Sequence, residues 1–426
     1  MRYVFYFFLT LPLLANSQSS YENVLIESYS GIGYQPCEPS IAVSLTDQSK
    51  LVAGSILDKV YTSADSGKTW TIDKLKSPLG VFGDPCIVAS PLGSFYYLHL
   101  SDPDKAGWSS DRLLDRIVCQ YSKNNGSTWS KGGGIGLNGS KDQDKEWACV
   151  SNDGKMIYST WTQFDKYAST QEGDSTLILF SFSNKKAKKW SDPVRISAIA
   201  GDCIDDDQTV EGAVPTTGPN GEIYVSWALG NSILFDKSLD GGKTWLANDI
   251  EVSAIEGGWA HDIPGINRAN GMPVTSCDRS GGVHNGRIYI NWADQRNGKD
   301  DTDIWLVYSD DQGETWSEAI RVNDDPPGKQ QFFTWMDLDQ STGFIYIVFY
   351  DRRAHNNNQT DVYLASSQNG GTDFTNEIIS KSPFTPNESL FFGDYNNISA
   401  VNGVIRPIWT RCEGMKLSVW TALINR

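Results

Sequence analysis

The sequence is poor in several residue types and patterns that mark common classes of protein. It has only 4 histidines, and it contains no HExxH, P-loop or nucleophile-elbow motif. Its 7 cysteines stand singly without a CxxC pair, so we expect no zinc site and interpret most of them as small buried residues. Lys and Arg total 36 against 52 Asp and Glu, a net charge of −16. This acidic balance argues against a nucleic-acid partner, which needs a basic face, and is typical of a solvated acidic surface.

Long hydrophobic runs are also absent, except at the N-terminus. Arg2 precedes the apolar run Tyr3–Leu14, and the small residues of Ala15–Ser17 follow. This order is typical of a secretory signal peptide, and the run is shorter than the roughly 20 residues of a membrane span. We predict a signal peptide over residues 1–17 and a single domain over residues 18–426. We expect a secreted or periplasmic monomer without a membrane span.

A short polar motif recurs along the chain, and "SDDQGETWS" at 309–317 contains one copy. Complete copies occupy 63–70, 238–245 and 309–316, a copy with Asn in the Asp position occupies 122–129, and degenerate copies occupy 183–190 and 367–374. The final aromatic residues of successive copies lie 59, 61, 55, 71 and 58 positions apart. Repetition at a period of about 60 residues indicates a propeller or a similar array.

Each repeat contains three strand-like segments before the motif and a fourth after it. In the fifth repeat the first three are Pro273–Cys277, Arg287–Trp292 and Asp303–Tyr308. In the motif, the Asp or Asn side chain is suited to bind backbone N–H groups, Gly supplies a positive φ, and Trp packs into the blade. We therefore interpret the motif as a folding device at the turn between the third and fourth strands of a blade. With no convincing amphipathic helix, the sequence predicts an all-β propeller of four-stranded antiparallel blades.

The number of blades follows from the predicted first strands, which begin near residues 39, 86, 147, 212, 273, 333 and 397. The last repeat lacks both the motif and a fourth strand. The N-terminal segment Val24–Tyr29 is suited to supply that strand and close the ring. We predict seven blades closed in this way, with six as the alternative.

The motif resembles the Asp-box repeat of the sialidase (neuraminidase) superfamily, and its copies run from residue 63 to residue 374. In that superfamily the Asp boxes lie on the face opposite the active site. The resemblance therefore implies that chemistry comes from the loops that enter the first strand of each blade and those that join the second strand to the third. Asp-box propellers also include other glycosidases, polysaccharide lyases and non-enzymatic modules, so the resemblance leaves the function open among these classes.

Carboxylates precede five of the seven predicted first strands, namely Glu38, Asp84, Glu146, Glu211 and Asp394. We expect the propeller to gather them around its axis, where crowding raises the pKa of some of them and lets them act as general acids. The alternative is that each one caps a turn or accepts backbone hydrogen bonds.

Arginines follow the predicted second strands of three consecutive blades, at Arg296, Arg352 and Arg411. Three converging guanidinium groups can clamp a carboxylate, such as that of a sialic or uronic acid. The alternative is that each pairs within its own loop, as Arg296 with Asp294 or Arg352 with Asp351.

The resemblance to sialidases, which use an arginine triad, a Tyr–Glu nucleophile pair and an Asp acid, implies roles for particular residues. It implies Asp84 as acid/base and Tyr395 as a nucleophile activated by Glu211, with Arg268 as an alternative clamp member to Arg296. The sequence departs from the family in two respects. The segment "GIGYQPCEPS" lacks the family's Arg-Ile-Pro signature, and Arg411 follows Tyr395 although the family's arginines precede their Tyr.

We interpret the protein as a secreted sialidase-like glycoside hydrolase that acts on an acidic sugar of extracellular glycans. A polysaccharide lyase acting on uronic-acid glycans, with a base among His99, His261 and His355, is one alternative. A non-catalytic glycan-binding propeller is another, with stacking platforms at Trp147, Trp259 and Trp335. Among these, Trp335 joins Glu38, Glu146, Asp394 and the three arginines in the predicted substrate site. No cofactor is expected, although the acidic segments 205–207 and 300–303 leave structural Ca²⁺ open.

Overall fold

The computed structural model describes residues 19–30 and 35–426. The predicted signal peptide lies outside the described residues. Within them, the chain forms β-strands and one short 3-10 turn, Gly107–Ser109. No helix among these residues has the length and apolar character needed to cross a membrane.

The strands form seven four-stranded antiparallel sheets, which are the seven blades of a β-propeller. Blade 1 contains β2 Ser40–Val43, β3 Leu51–Ser55, β4 Lys59–Ser63 and β5 Thr71–Lys74. Blade 2 contains β6 Cys86–Ala89, β7 Phe95–Leu100, β8 Ile117–Ser122 and β9 Gly133–Ile135. Blade 3 contains β10 Asp142–Val150, β11 Met156–Phe164, β12 Thr176–Asn184 and β13 Val194–Arg195. Blade 4 contains β14 Glu211–Thr217, β15 Ile223–Leu229, β16 Ser232–Ser238 and β17 Ile250–Ala254.

The remaining three blades follow in chain order after a two-stranded hairpin, β18 Ala260–His261 and β19 Ala269–Asn270. Blade 5 contains β20 Val274–Cys277, β21 Ile288–Asp294, β22 Asp303–Ser309 and β23 Ile320–Arg321. Blade 6 contains β24 Gln331–Asp339, β25 Phe344–Asp351, β26 Asp361–Ser367 and β27 Thr375–Ile378. Blade 7 contains β28 Asn397–Val401, β29 Val404–Glu413 and β30 Lys416–Asn425, with β1 Glu22–Ser30 as its outermost strand.

Blade 7 closes the ring with strands from both ends of the chain. β1 pairs antiparallel with β30, from Glu22 opposite Leu423 to Ser30 opposite Lys416. Ile26 of β1 is buried in a cluster that includes residues of blade 1. The prediction of seven blades closed by the N-terminal strand is therefore confirmed.

The repeated polar motif occupies the turn between the third and fourth strands of its blade. In blade 4, Ser238 Oγ accepts the backbone N–H of Gly242 at 2.8 Å, and Asp240 Oδ1 accepts that of Thr244 at 2.9 Å. The Trp245 indole packs against Phe180 of blade 3 at a centroid distance of 4.8 Å. The turn thus satisfies its own backbone groups and also joins its blade to the preceding one.

The chain enters several first strands through a residue with positive φ, two positions before regular pairing begins. These residues are Glu38 (φ 52°), Asp84 (φ 47°), Lys145 (φ 53°), Gly212 (φ 74°) and Phe333 (φ 49°). Register shifts occur at this point in β10, β14 and β24. Left-handed backbone at a β-bulge turns the side chain away from its alternating direction. In these blades, the left-handed residue therefore determines which side chain faces the axis.

Candidate functional site

A cavity of about 230 Å³ opens on one face of the propeller. We call this the upper face, because its loops enter the first strand of each blade and join the second strand to the third. Polar side chains line one part of the cavity: Glu38, Asp84, Asp144, Lys145, Tyr167 and Arg268. Apolar side chains line the rest: Ile56, Leu57, Phe82, Leu100, Trp108, Leu114 and Phe391. An apolar wall with a few convergent polar groups is typical of a small-molecule site.

Glu38 and Asp84 occupy equivalent left-handed positions just before the first strands of blades 1 and 2, and their carboxyl groups interact. Burial raises the pKa of Glu38 well above its usual range, and the charge of Asp84 raises it further. Burial also raises the pKa of Asp84, whereas a hydrogen bond with Glu38 acts to lower it. Glu38 Oε1 accepts the backbone N–H of Asp394 at 3.1 Å, which leaves its other oxygen to hold a proton toward Asp84. Both pKa values are therefore raised, which favours a proton on the pair above the usual titration range of a carboxyl group.

Gly393 allows this close approach between blades 7 and 1. Its φ is 92°, and a Cβ at this position would lie 2.7 Å from Glu38 Cγ. Any other residue would displace Glu38 from its place beside Asp84.

Asp394 balances the two cations of the site. Its buried carboxylate accepts hydrogen bonds from Lys145 Nζ and from Arg268, whose Nε lies 2.9 Å from Oδ1. These partners hold the pKa of Asp394 below its usual range despite the opposing effect of burial. Arg268 also donates to Asp205 at 2.7 Å, and the Tyr167 hydroxyl donates to the same Asp205 oxygen at 2.6 Å. Residues of blade 3 and of the segments that precede blades 4, 5 and 7 thus meet in one ionic network.

The prediction that five carboxylates occupy one equivalent position is wrong, because the left-handed residue at the start of the first strand is not a carboxylate in every blade. In blade 3 the left-handed residue is Lys145, so the lysine reaches the axial network and Glu146 turns away from it. Glu146 is buried, and neither of its carboxyl oxygens has a hydrogen-bond partner from another described residue. Glu211 lies one position before the bulge glycine of blade 4, and its pKa is raised by burial and by the nearby Asp205.

Tyr395 lies buried beneath the acidic groups rather than in the cavity wall. Its ring contacts Trp147 at 5.0 Å and Trp335 at 6.2 Å, and these two indoles are themselves 4.3 Å apart. Burial, followed by the charges of Glu38, Asp84 and Glu146, raises the pKa of Tyr395 well above its usual range. The carboxyl groups that most affect the phenol are therefore these three, whereas Glu211 faces Asp205.

The three tryptophans considered as stacking platforms are all buried. Trp335 of the predicted substrate site is 7% exposed, and Trp147 and Trp259 are 4% and 3% exposed. They pack in the interior and present no free face to a sugar.

The three predicted clamp arginines are engaged separately, outside the cavity. Arg296 donates to Asp294 of its own loop at 2.6 Å and lies over the Trp305 ring. Arg352 is buried and donates to Thr360 Oγ1 at 3.1 Å, whereas Asp351 pairs with Arg353.

Arg411 donates to the carbonyl oxygen of Ser382 at 3.1 Å and to Glu413 at 3.3 Å. The described contacts of the three arginines do not join them into a clamp. Arg296 pairs with Asp294, whereas Arg352 and Arg411 each retain one guanidinium nitrogen without a hydrogen-bond partner among the described residues. The cations that converge at the axis are Lys145 and Arg268.

Two of the three histidines considered as a lyase base have side-chain partners, whereas neither ring nitrogen of His261 has a hydrogen-bond partner among the described residues. His99 is buried against Gln120, His261 is buried in the β18–β19 hairpin, and His355 lies 2.8 Å from Asp361. No group of three or more His, Cys, Asp or Glu side chains suited to hold a metal ion occurs among the residues the structure describes.

Sequence reasoning missed Lys145, Tyr167 and Trp108, and it gave Arg268 only as an alternative. Lys145 is adjacent in sequence to the predicted Glu146. The one-residue shift at the bulge places Lys145, rather than Glu146, in the axial network. Tyr167 and Trp108 lie in loops between second and third strands, where chemistry was expected, but the sequence carries no signal of which loop residue faces the axis.

No family model matches the sequence. The fold is nevertheless shared with solved structures of low sequence identity. An ulvan lyase from a new polysaccharide lyase family has 12% identity, covers 96% of this chain and 96% of its own, and gives a TM-score of 0.58. A Hadza microbial sialidase has 12% identity over 88% of this chain and 73% of its own, with a TM-score of 0.50. A protein of unknown function from Dyadobacter fermentans has 14% identity over 78% of this chain and 93% of its own, with a TM-score of 0.50. The chain therefore has a sialidase-like β-propeller fold.

Proposed function

We propose that the protein is a glycan-active enzyme, a sialidase-like glycoside hydrolase that acts on an acidic sugar. The observation that carries the proposal is the Glu38–Asp84 pair, which lines the same cavity as two cations and whose pKa values are raised by burial. Cleavage of a glycosidic bond requires a carboxylic acid that is still protonated at the working pH. Burial and mutual repulsion supply that condition here.

The pair divides the work of proton transfer between two side chains. Asp84 is the more exposed of the two and delivers the proton to the leaving-group oxygen, while Glu38 restores it through their hydrogen bond. The predicted nucleophile Tyr395 does not line the cavity, so a substrate would have to reach it past the acidic groups. Because its pKa is raised, the phenol needs a base. Glu38, whose charge affects it more than that of Glu211, can accept its proton only in the step in which Glu38 passes its own proton to Asp84.

The cavity's cations support an acidic sugar as the substrate. Arg268 is partly exposed and, with Lys145, lines the cavity, so a sugar carboxylate bound there would face both cations. Asp394 and Asp205 already accept hydrogen bonds from these cations, so an incoming carboxylate would share them. Burial raises the pKa of the neighbouring Glu38, which favours its neutral form. Secretion, predicted from residues 1–17, would place this activity on extracellular glycans.

The proposal is tested by assaying the purified protein on aryl sialosides, aryl glucuronides and neutral aryl glycosides. We expect release of the free acidic sugar, and we expect Asp84→Asn to lower kcat by about 100-fold or more, the usual contribution of a general acid. Asp104→Asn is the matched control, because Asp104 is an exposed carboxylate on the upper face that does not line the cavity. An Asp84→Asn variant with more than a tenth of wild-type activity would contradict the assignment, and full activity in Tyr395→Phe would remove the nucleophile.

A polysaccharide lyase is the second candidate, because the Tyr167 phenol and the Arg268 guanidinium lie together in the cavity wall. In such a lyase, an arginine neutralises a uronate carboxylate while a phenol exchanges a proton at the neighbouring carbon. Digestion of uronic-acid polysaccharides would then increase ultraviolet absorbance from an unsaturated product. Tyr167→Phe would abolish this signal if the lyase assignment is correct.

A further inference from the structure

Trp108 is exposed beside the cavity. It lies in the loop between β7 and β8 of blade 2, within the Gly107–Ser109 turn, and 66% of it is accessible to solvent. Its side chain also forms part of the cavity wall. Single exposed apolar residues are common on protein surfaces, so exposure alone assigns it no role.

The loop holds the Trp108 indole in a defined position. Asp102 is buried and accepts the backbone N–H groups of Ala106 at 3.2 Å and Gly107 at 3.1 Å. The indole contacts the edge of Phe82 at 5.8 Å and lies 5.6 Å from the Tyr167 ring. A large aromatic surface that is ordered before binding offers contact area at a low cost in conformational entropy.

The position of Trp108 relative to Asp84 indicates which part of a bound substrate would pack on the indole. Phe82, which contacts the indole, stands two residues before Asp84, and all three side chains line the same cavity. A general acid protonates the oxygen of the leaving group, so the leaving group must lie on the side of the cavity where Asp84 stands. Trp108 borders the cavity between Phe82, two residues from Asp84, and Tyr167, so it lies within reach of a leaving group protonated by Asp84.

We propose that Trp108 is the stacking platform of a leaving-group sugar subsite, so that the substrate is an oligosaccharide or polysaccharide rather than a single sugar on a small aglycone. The proposal deepens the proposed function and rests on the cavity as the site of the reacting sugar. The apolar face of a pyranose ring packs on the indole, while the sugar's hydroxyl groups remain in water.

The test measures binding without turnover, in an Asp84→Asn background, by isothermal titration calorimetry. The probes are 3′-sialyllactose and a chondroitin tetrasaccharide, each compared with the methyl glycoside of its terminal acidic sugar. We expect Trp108→Ala to weaken oligosaccharide binding by about 10-fold or more and methyl glycoside binding by less than about 2-fold. Trp108→Phe should recover most of the loss. Tyr29→Ala removes an exposed aromatic residue from the outer strand of blade 7 and should change neither.

Each outcome separates this subsite from the reaction itself. Equal weakening of both kinds of probe would show that the indole only supports the loop, and an unchanged oligosaccharide affinity would show that no sugar stacks on it. Failure of every probe to bind would also overturn the proposal. If binding depends on Trp108 but the protein turns over no glycan, the subsite is supported and the hydrolase assignment is rejected. If the protein turns over glycans and Trp108→Ala does not change turnover, the hydrolase assignment is supported and the subsite is rejected.

Discussion

At the scale of single residues, the environment at the axis of the propeller raises the pKa of several carboxyl groups. Burial is the first cause for Glu38, Asp144 and Glu146, and for Asp144 the pKa rises to about 8. Asp394 is the exception, because Lys145 and Arg268 hold its pKa low. The same site thus contains both proton donors and a permanent anion, a separation of pKa values that is typical of acid–base catalysis.

Because these carboxyl groups are buried, they should make the unfolding free energy depend on pH. The Glu146→Gln variant removes the contribution of one of them. Because the folded protein holds this proton more tightly than the unfolded chain, Glu146 favours folding at low pH, and that contribution is lost as pH rises above the usual carboxyl pKa of 4.5. We expect the variant to gain stability over the wild type as pH increases from 5 to 9. The gain is about 1.4 kcal/mol for each pH unit over which only the folded state stays protonated.

Thermal or denaturant unfolding at several pH values measures this difference. The exposed Glu172→Gln variant is the control and should follow the wild type at every pH. A stability offset for Glu146→Gln that is the same at pH 5 and pH 9 would show that the carboxyl group is not protonated by burial.

At the scale of elements, the strand pattern was accessible from the sequence but the bulges were not. Repeats of about 60 residues and alternating apolar segments predicted seven blades, and the structure has seven. A bulge of one residue reverses which side chain faces the axis, and Lys145 and Glu146 show the result. The arginines were misplaced for another reason. Arg296 meets Asp294 two residues away, and a sequence does not reveal whether such a local pair will outcompete a distant ligand.

The turn motif gives an element-scale prediction through two adjacent glycines. Both Gly241 and Gly242 have positive φ, at 77° and 89°. A Cβ on Gly241 would meet nothing within 4 Å, whereas a Cβ on Gly242 would lie 2.4 Å from the Phe180 ring of blade 3. We expect Gly241→Ala to cost about 1 kcal/mol of unfolding free energy from backbone strain. Gly242→Ala should cost about 1–3 kcal/mol more, because it also disturbs the packing between blades.

Chemical denaturation of the two variants measures the difference. Equal losses would show that the turn acts on its own backbone only, and that its contact with the preceding blade contributes nothing to stability.

At the scale of the whole molecule, the site exists only because the ring is closed. Glu38 belongs to blade 1, Asp394 to blade 7, and Arg268 reaches them from the loop before blade 5. These residues are far apart in the sequence, and no local segment can assemble them. Closure by β1 is therefore a condition for the site as well as for the fold.

Ile26 and Leu25 of β1 allow closure to be tested with matched substitutions. Ile26 is 5% exposed and packs with Ile41 and Tyr61 of blade 1, whereas Leu25 is 44% exposed on the other side of the strand. We expect Ile26→Ala to lower the unfolding free energy by about 2–5 kcal/mol, as for other buried large-to-small changes, and Leu25→Ala to change it by less than about 0.5 kcal/mol. Because closure links all seven blades, the Ile26→Ala variant should still unfold in one transition when followed by tryptophan fluorescence and by circular dichroism. A separate early transition would show that blade 7 opens alone and that the rest of the ring is stable without it.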